Sequence, residues 1–565
     1  MSCPNCGSDT VYKTRFDIAN ASSKVFEMLQ SFPLTTFHSA AISQMLLDAE
    51  TDHKHYGLEI SRLRARLVFL EGKQKLLEKH MGQLKSVTAS IRYLPAELLG
   101  RIFEIVCEET PTLLTKTNPS RIKIYQQPPF TLASVCRGWR YIVIGTSKLW
   151  SNLRLLPTTQ DAISQLEPRF RLCLARSGIH PLSIDISFAA EDGESNRLVD
   201  LLIDQSARWR DARVSAEMNS EMFPTLSGRS FPLLESLSID DHYASPELHL
   251  FNAAPRLSSL KVNALPLTEI PITFTPINHV THLELQGACP SVYRELEKFT
   301  HVQSVVYSLM DPCSFTTNAM PFVRSHLSTL ELRLVDGLVC PDIGGRHPDA
   351  GVFGVLVDKL ILPSLEKLTI TNPYRTRPCT FFKGPWPSDT FTRFFQRSGC
   401  SLTVLRLNRI SLSHEDVITL LKLNPALVEL SIQEIHRNSY NFSGYTVPGS
   451  DSDSDFVFKD IITPSLLTAL HAYNHGMSPF SPPLVPKLER LDFIADGDLF
   501  DDDLFHKMVI SRWIPEKSHA LAVGVTSLKS VKIRVLGRAL KEEIEQQLQY
   551  LGKDGLEVVV RTRKG

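Results

Sequence analysis

The sequence predicts an α/β protein with a long N-terminal helix, then a small all-α module, then an irregular solenoid with parallel strands on one face. Three observations predict this order. Apolar residues follow a heptad pattern over residues 38–91, two short apolar helical segments lie within 92–155, and a short apolar phrase recurs from about residue 180 onward. Residues 1–37 have no sustained period and are expected to form a flexible tail.

The composition excludes several classes of protein. The chain has 565 residues with 61 Lys+Arg against 61 Asp+Glu, so it lacks the basic field that attracts nucleic-acid phosphates. Its 10 cysteines are too sparse for a disulfide scaffold, which favours a cytoplasmic or nuclear location. No secretory signal precedes the helix, and no stretch reaches the ~18 uninterrupted apolar residues that cross a bilayer. The sequence therefore predicts protein partners, without nucleic acid or membrane.

The heptad pattern of residues 38–91 predicts a coiled-coil helix. Its seam runs through Ile60, Leu63, Leu67, Leu70, Leu77, Met81, Leu84 and Ile91, with Gln74 and Thr88 as polar occupants. A weaker continuation reaches back to Ile42. A helix of ~50 residues is ~75 Å long, too long to bury one face on a small domain. We therefore expect the seam to be covered by self-association or by an intramolecular partner helix. The alternative is a solitary helix along the rest of the protein, because Gly57, Gly72 and Gly82 each weaken the helix.

Residues 92–155 carry more large apolar side chains than two short helices can bury by themselves. The set comprises Leu94, Pro95, Leu98, Leu99, Ile102, Phe103, Val135, Cys136, Trp139 and Trp150. We expect these side chains to be divided between packing the module and contacting a partner protein. A long polar insert from about Glu108 to Phe130 separates the two helical segments.

The order of these residues, LPAEL at 94–98, VCRGWR at 135–140 and LW at 149–150, resembles the F-box. This is the small helical module by which substrate receptors dock on the Skp adaptor of cullin-RING ubiquitin ligases. The resemblance covers about 60 of the 565 residues. The insert is longer than the loop expected between the two halves of the motif.

The recurring phrase is Pro-x-Leu-x-x-Leu-x-apolar, whose last three positions predict a short strand. The second apolar anchors Leu237, Leu260, Leu283 and Val305 are 23, 23 and 22 residues apart, within the leucine-rich-repeat period. Later anchors are Leu330, Leu368, Leu405, Leu430, Leu491 and Val531. Each repeat is too small to bury its own apolar edge, so the units must stack. Residues 156–565 are therefore expected to form a leucine-rich-repeat solenoid that ends in a helix-turn-strand cap.

The sequence offers little for metal binding or catalysis. Cys3 and Cys6 have zinc-knuckle spacing, but a structural zinc site needs four ligands. Two free thiols in a tail are the simpler interpretation, and the alternative is a four-thiolate site shared by two paired chains. No phosphate-binding loop or nucleophile elbow occurs, so we expect neither an enzyme nor a cofactor. The acidic run at 449–456 is interpreted as a solvated loop, with phosphorylation as a minor hypothesis.

The complete order of parts resembles the F-box/leucine-rich-repeat families of mushroom-forming fungi. The resemblance implies the substrate-recognition subunit of a Skp-cullin-F-box ubiquitin ligase. The F-box would dock on the Skp adaptor, with Leu94 and Pro95 as the first expected contacts, and the repeats would hold an unidentified client protein for ubiquitination. The alternative is a protein-interaction scaffold that uses the same repeats outside any ligase.

Overall fold

The computed structural model forms two compact units, Met1–Leu99 and Gly100–Gly565. The structure describes residues 14–30, 36–109, 112–114, 127–155, 160–188, 197–216, 226–241, 248–264, 274–287, 295–310, 321–335, 351–373, 386–410, 412–435, 460–473 and 483–561.

The first unit contains helix α1 (Ile18–Gln30) inside the region where we expected a flexible tail. A contact between distant parts of the sequence fixes the start of α1. The carboxylate Oδ2 of Asp52 accepts hydrogen bonds from the backbone N–H groups of Arg15 and Phe16, at 2.7 and 2.8 Å. Ala21 is buried. Because Asp52 lies 37 and 36 positions after Arg15 and Phe16, the local sequence pattern could not reveal the helix.

Helix α2 (Thr36–Val87) carries the predicted heptad seam. It ends before Thr88 and Ile91, so the seam is shorter than the sequence predicted. Ala89 is extended (φ −62°, ψ 134°), and a 3-10 turn follows at Ser90–Tyr93. The seam side chains from Ile60 to Leu84 remain 47% to 68% exposed in the single chain.

The second unit is built on a parallel sheet, as predicted. Within the described residues the sheet has 15 strands, and a separate pair is formed by β9 with β11. The strands are β1 (Thr112–Leu114), β2 (Asn152–Leu155), β3 (Leu182–Phe188), β4 (Trp209–Ala216), β5 (Ser236–Asp241), β6 (Ser259–Ala264), β7 (His282–Gly287), β8 (Ser304–Met310), β9 (Val323–Arg324), β10 (Thr329–Val335), β11 (Leu360–Ile361), β12 (Lys367–Thr371), β13 (Val404–Asn408), β14 (Glu429–Gln433), β15 (Arg490–Asp496), β16 (Ser530–Leu536) and β17 (Glu557–Val560).

The strand register matches the anchors predicted from the sequence. Leu237 lies opposite Leu260, which lies opposite Leu283, and the same row continues strand by strand to Val531. Every anchor in this row is at most 3% exposed. The mixed α/β class, the long N-terminal helix and the parallel sheet are therefore confirmed, and the strand order is compatible with a solenoid.

Helices connect the strands and form a second layer in the later part of the unit. They are α3 (Ala96–Glu109), α4 (Pro128–Val135), α5 (Arg137–Gly145), α6 (Gln160–Ser177), α7 (Arg197–Ile203), α8 (Gly351–Lys359), α9 (Ser388–Ser398), α10 (His414–Leu423), α11 (Pro464–Leu470), α12 (Asp502–Arg512), α13 (Lys517–Val523) and α14 (Glu542–Lys553). Each helix from α8 to α11 packs on the next. Helix α14 and strand β17 form where the sequence predicts the terminal cap.

The sheet begins earlier than the boundary at 155 and 156 that the sequence suggested. Strand β1 lies in the predicted insert and pairs with β2, which pairs in turn with β3. Leu153 and Leu155 of β2 are buried. The module and the solenoid thus share one sheet, because the residues directly after Trp150 already alternate between buried and more exposed positions.

Candidate functional site

The helical module is held together by an aromatic core. Phe103 of α3 is 1% exposed and its ring lies 4.7 Å from that of Trp139 on α5. Trp150 is completely buried; its indole N–H donates to the carbonyl oxygen of Val143 at 2.8 Å. The ring of Phe130 meets Trp150 edge-on at 5.2 Å between centroids. The contact between Phe103 and Trp139 joins the two halves of the module that the long insert separates in sequence, and Trp150 packs within the second half.

Trp150 also connects the module to the first helix of the solenoid. The guanidinium carbon of Arg176, on α6, lies 4.4 Å from the centroid of the Trp150 ring. Such cation–π contacts gain strength where the ring is removed from water. Trp150, the last residue of the predicted motif, therefore links the module to helix α6.

A polar contact ties the end of α3 to the start of the sheet. The side-chain amide of Asn152 donates to the carbonyl oxygens of Cys107 and Glu108, at 3.0 and 3.2 Å. The last carbonyls of a helix have no partner within the helix, so Asn152 serves as their cap. Burial raises the pKa of the Cys107 thiol to about 12, which leaves this side chain a packing role.

Lys148 bridges two carboxylates of α3. Its ammonium group lies 3.2 Å from Glu104 Oε2 and 2.6 Å from Glu108 Oε1. Burial would raise the pKa of Glu104, but hydrogen bonds and positive charge from Lys148 and Arg101 outweigh burial and hold it below its ordinary value. Hydrogen bonding to Glu108 is the main reason that the pKa of Lys148 is raised. The two halves of the module are thus linked by charge as well as by aromatic packing.

Helix α3 has one buried and one exposed apolar face. Leu99, Phe103 and Cys107 recur at intervals of four residues and are all buried. Leu98 and Ile102 are 53% and 41% exposed. The predicted site residues on α3 therefore separate into a buried group and an exposed group, although both follow the same helical periodicity.

The structure gives each predicted site residue a definite exposure. Leu99, Phe103 and Trp150 are buried, and we assign them to packing rather than docking. Leu94, Cys136 and Trp139 are half-buried, whereas Pro95, Leu98, Ile102 and Val135 are exposed. Cys136 caps α5: its sulfur accepts from the backbone N–H of Trp139 at 3.5 Å.

The predicted site residues omit further exposed apolar side chains of the module. Ile105 and Val106 continue the exposed face of α3, and Tyr141 and Ile144 lie on α5. Tyr141 is 83% exposed. The signal was present as helical spacing, but only the fold shows which apolar positions stay outside. We call Leu98, Ile102, Ile105, Val106, Val135, Tyr141 and Ile144 the apolar set.

The second candidate surface is the strand face, formed by side chains that alternate with the buried anchors. A cavity of about 600 Å³ on this face includes Ser238, Lys261 and Glu284 in its lining. Another, of about 400 Å³, includes Arg406 and Asp492. The strand face is therefore concave at two places, and charged side chains contribute to the lining of both.

Ion pairs cross the strands of this face. Glu284 accepts from Lys261 at 2.6 Å and from Arg333 at 2.8 Å. Glu429 is held between Arg406 and Arg490, at 2.6 and 3.1 Å. Burial raises the pKa of Glu429, but these two guanidinium groups overcome that effect and lower it. These ion pairs fix the charged groups in place on the strand face.

Other predicted features lie outside the described residues, among them Cys3, Cys6 and the acidic run at 449–456. In the described parts of the chain, no cluster of three or more His, Cys, Asp or Glu side chains could hold a metal ion. Nor does any helix in those parts combine the length and apolar character needed to cross a bilayer.

The chain matches no protein-family model, and no curated protein matches it significantly. The site must therefore be interpreted from its own geometry.

Proposed function

We propose that the protein is a non-catalytic substrate-recognition subunit of a Skp-cullin-F-box ubiquitin ligase. The observation that carries this proposal is the apolar set. Its members remain 41% to 83% exposed after the module has packed on its own sheet. Exposed apolar side chains concentrated on one small module are typical of an interaction site. They support docking on the Skp adaptor.

The proposal divides the predicted residues by their burial. Leu98, Ile102 and Val135 are available to contact the adaptor, together with Pro95 at the start of α3. The buried residues, Phe103 foremost, position α3 and do not touch the partner. A standard interface buries ~800 Å² on each partner. Apolar anchors at its centre would supply most of the binding free energy.

The strand face would hold the client protein. Its fixed charges favour partners with complementary charge, and such complementarity governs specificity and association rate. In the described residues, Ser238 Oγ, Asn408 Oδ1 and Asp492 Oδ1 are buried atoms without a hydrogen-bond partner, and all three residues line the two cavities. A client protein could form hydrogen bonds with these atoms. Ubiquitination would then be accelerated by proximity, because the client is held near the ligase.

The docking proposal is tested by the double substitution Leu98→Ala and Ile102→Ala. We expect the affinity for purified Skp adaptor to fall roughly 30-fold or more, since truncation of anchor residues typically costs ~2 kcal/mol or more. The matched control is Ile179→Ala with Leu521→Ala, two residues of the second unit that are 94% and 81% exposed. Calorimetry measures both affinities, and circular dichroism checks the fold.

Equal adaptor affinity of the wild type and the Leu98/Ile102 variant would overturn the proposed docking surface. Recovery of cullin with the full-length chain separates a ligase subunit from the alternative scaffold. Adaptor binding without cullin would favour the scaffold.

A further inference from the structure

Helix α2 presents an apolar seam that the other described residues of its own unit leave uncovered. In heptad notation, position a is occupied by Ile60, Leu67, Gln74 and Met81, and position d by Leu63, Leu70, Leu77 and Leu84. All of these side chains are exposed. Apolar residues at both positions over nearly four heptads match the seam of a two-stranded coiled coil.

The charged residues beside the seam form two rows whose signs are complementary position by position. Position g, just before each a residue, carries Glu59, Arg66 and Lys73, and position e, just after each d residue, carries Arg64, Glu71 and Glu78. The last g and e positions carry His80 and Lys85, which do not form a pair of opposite charges. Within the described chain, the only ion pair of the first six residues joins Glu59 to Arg62, at 3.8 Å. Lys73 Nζ lies 5.6 Å from the centroid of the Phe69 ring on its own helix, and it has no ion pair in the described chain. The carboxylates of Glu71 and Glu78 and the guanidinium of Arg66 likewise have no ion pair there.

These rows complement each other in a parallel pairing of two identical helices. In that arrangement each g residue faces the e residue five positions later on the other chain. Glu59 then meets Arg64, Arg66 meets Glu71, and Lys73 meets Glu78. Every one of these contacts joins opposite charges, and two-fold symmetry repeats each of them.

An antiparallel pairing would bring like charges together. In that arrangement g residues face g residues, and e residues face e residues. In the antiparallel register that overlaps the seam fully, Lys73 would oppose its own copy and Glu71 would oppose its own copy, whereas Arg64 would still meet Glu78. Like charges at these positions destabilise a coiled coil, so the charge pattern favours the parallel arrangement, in which all three contacts named above are attractive.

We propose that the occupant of this seam is a second copy of the chain, paired in parallel and in register over residues 59–87. Gln74 at a core a position would fix the register, since a buried polar pair is satisfied only when it meets its own copy. This dimer does not depend on the proposed ligase function. It would place two helical modules and two strand faces in one assembly, which raises the effective concentration of the second site for a bivalent partner.

The experiment uses the full-length chain and sedimentation equilibrium. We expect a concentration-dependent dimer that Arg66→Glu with Lys73→Glu weakens roughly 100-fold, because four attractive contacts become repulsive. The matched control is Lys75→Glu with Lys79→Glu, which makes the same change of charge at outer positions b and f. The control should dimerise like the wild type.

Pairing is tested by mixing. Glu71→Lys with Glu78→Lys should also weaken the homodimer, but an equimolar mixture with the Arg66/Lys73 variant should recover a heterodimer. For orientation, Ile60→Cys should add an interchain disulfide under mild oxidation relative to the wild type, because residue 60 faces its own copy only in the parallel arrangement.

A wild-type chain that stays monomeric at 100 times the concentrations of ordinary assays would overturn the proposal. Equal dimerisation of the Arg66/Lys73 variant and its control would do the same. Neither outcome bears on whether Leu98 and Ile102 contact the adaptor. The dimer proposal and the docking proposal can therefore be rejected independently of each other.

Discussion

Two regular apolar repeats run through this chain, and the structure treats them in opposite ways. The strand anchors, spaced by about one solenoid turn, are at most 3% exposed. The heptad residues of α2 are 47% to 68% exposed. In the solenoid each repeat finds its neighbour in the same chain, whereas the long helix has no second helix along its seam within the described residues. Periodicity therefore predicts where apolar side chains line up, and chain connectivity determines whether they are buried.

The largest expected effect comes from removing a strand anchor. Leu430 is completely buried in β14, so Leu430→Ala should lower the free energy of unfolding by about 3 kcal/mol, through lost burial and the cavity left behind. The matched control is Leu58→Ala on α2, where the side chain is 70% exposed and lies off the seam. The control should change the free energy of unfolding by less than ~0.5 kcal/mol.

Urea unfolding followed by circular dichroism measures both variants. Similar losses for Leu430→Ala and Leu58→Ala would contradict the contrast between the two repeats.

Two glycines, one beside the sheet and one in α2, test the same contrast between a packed and an exposed region. A Cβ added at Gly497 would lie 2.4 Å from the carbonyl oxygen of Leu536, next to the Arg538 side chain. Gly497→Ala should therefore lower the free energy of unfolding by about 2 kcal/mol. A Cβ at Gly72 would meet nothing within 4 Å. Gly72→Ala should stabilise α2 by about 0.5–1 kcal/mol, because Ala favours the helix.

Thermal melts monitored by circular dichroism show whether each glycine variant is more or less stable than the wild type. Destabilisation by Gly72→Ala would show that the helix makes a close contact at that position.

The smallest effect concerns the charge bridge of the module. The folded-state pKa of Glu104 lies below its ordinary value of 4.5, so its ionised form stabilises the fold above that pH. This contribution is lost as the pH falls through the lowered pKa. Lys148→Met should therefore lower the free energy of unfolding at pH 7 by about 1 kcal/mol or less, given the partial exposure of both groups.

The difference between Lys148→Met and the wild type should shrink as the pH falls through the lowered pKa of Glu104, because protonation removes one of the charges with which Lys148 pairs. Urea titrations at several pH values measure it. A difference that is the same at pH 3 and pH 7 would rule out the ion pair as its source.

The sequence revealed the repeated elements better than the joints between them. The alternation around Leu237 and Leu260 predicted both the strands and their register, because a two-residue period can bury only one set of side chains. Helix α1 was missed because Asp52, which anchors its start, is distant in sequence. The early start of the sheet at Thr112 was missed because a three-residue strand has no pattern of its own.

For the candidate site, the sequence predicted the residue set but not its division. Leu98 and Leu99 are equally apolar neighbours, and composition gives no reason to bury one and expose the other. Phe103 packs on Trp139, which rotates α3 so that Leu99 turns inward and Leu98 outward. That choice depends on side chains separated by the long insert.

By itself, the sequence determined the local periods of this protein: seven residues along α2, two along each strand and about 23 between early anchors. These follow from backbone geometry and the placement of apolar side chains, which short segments encode completely. Only the tertiary structure decided which apolar face of α3 is covered, how Asn152 caps that helix, and which charges meet across the strand face. Those outcomes depend on contacts between groups that are far apart in sequence. A local sequence pattern does not show which distant groups will meet.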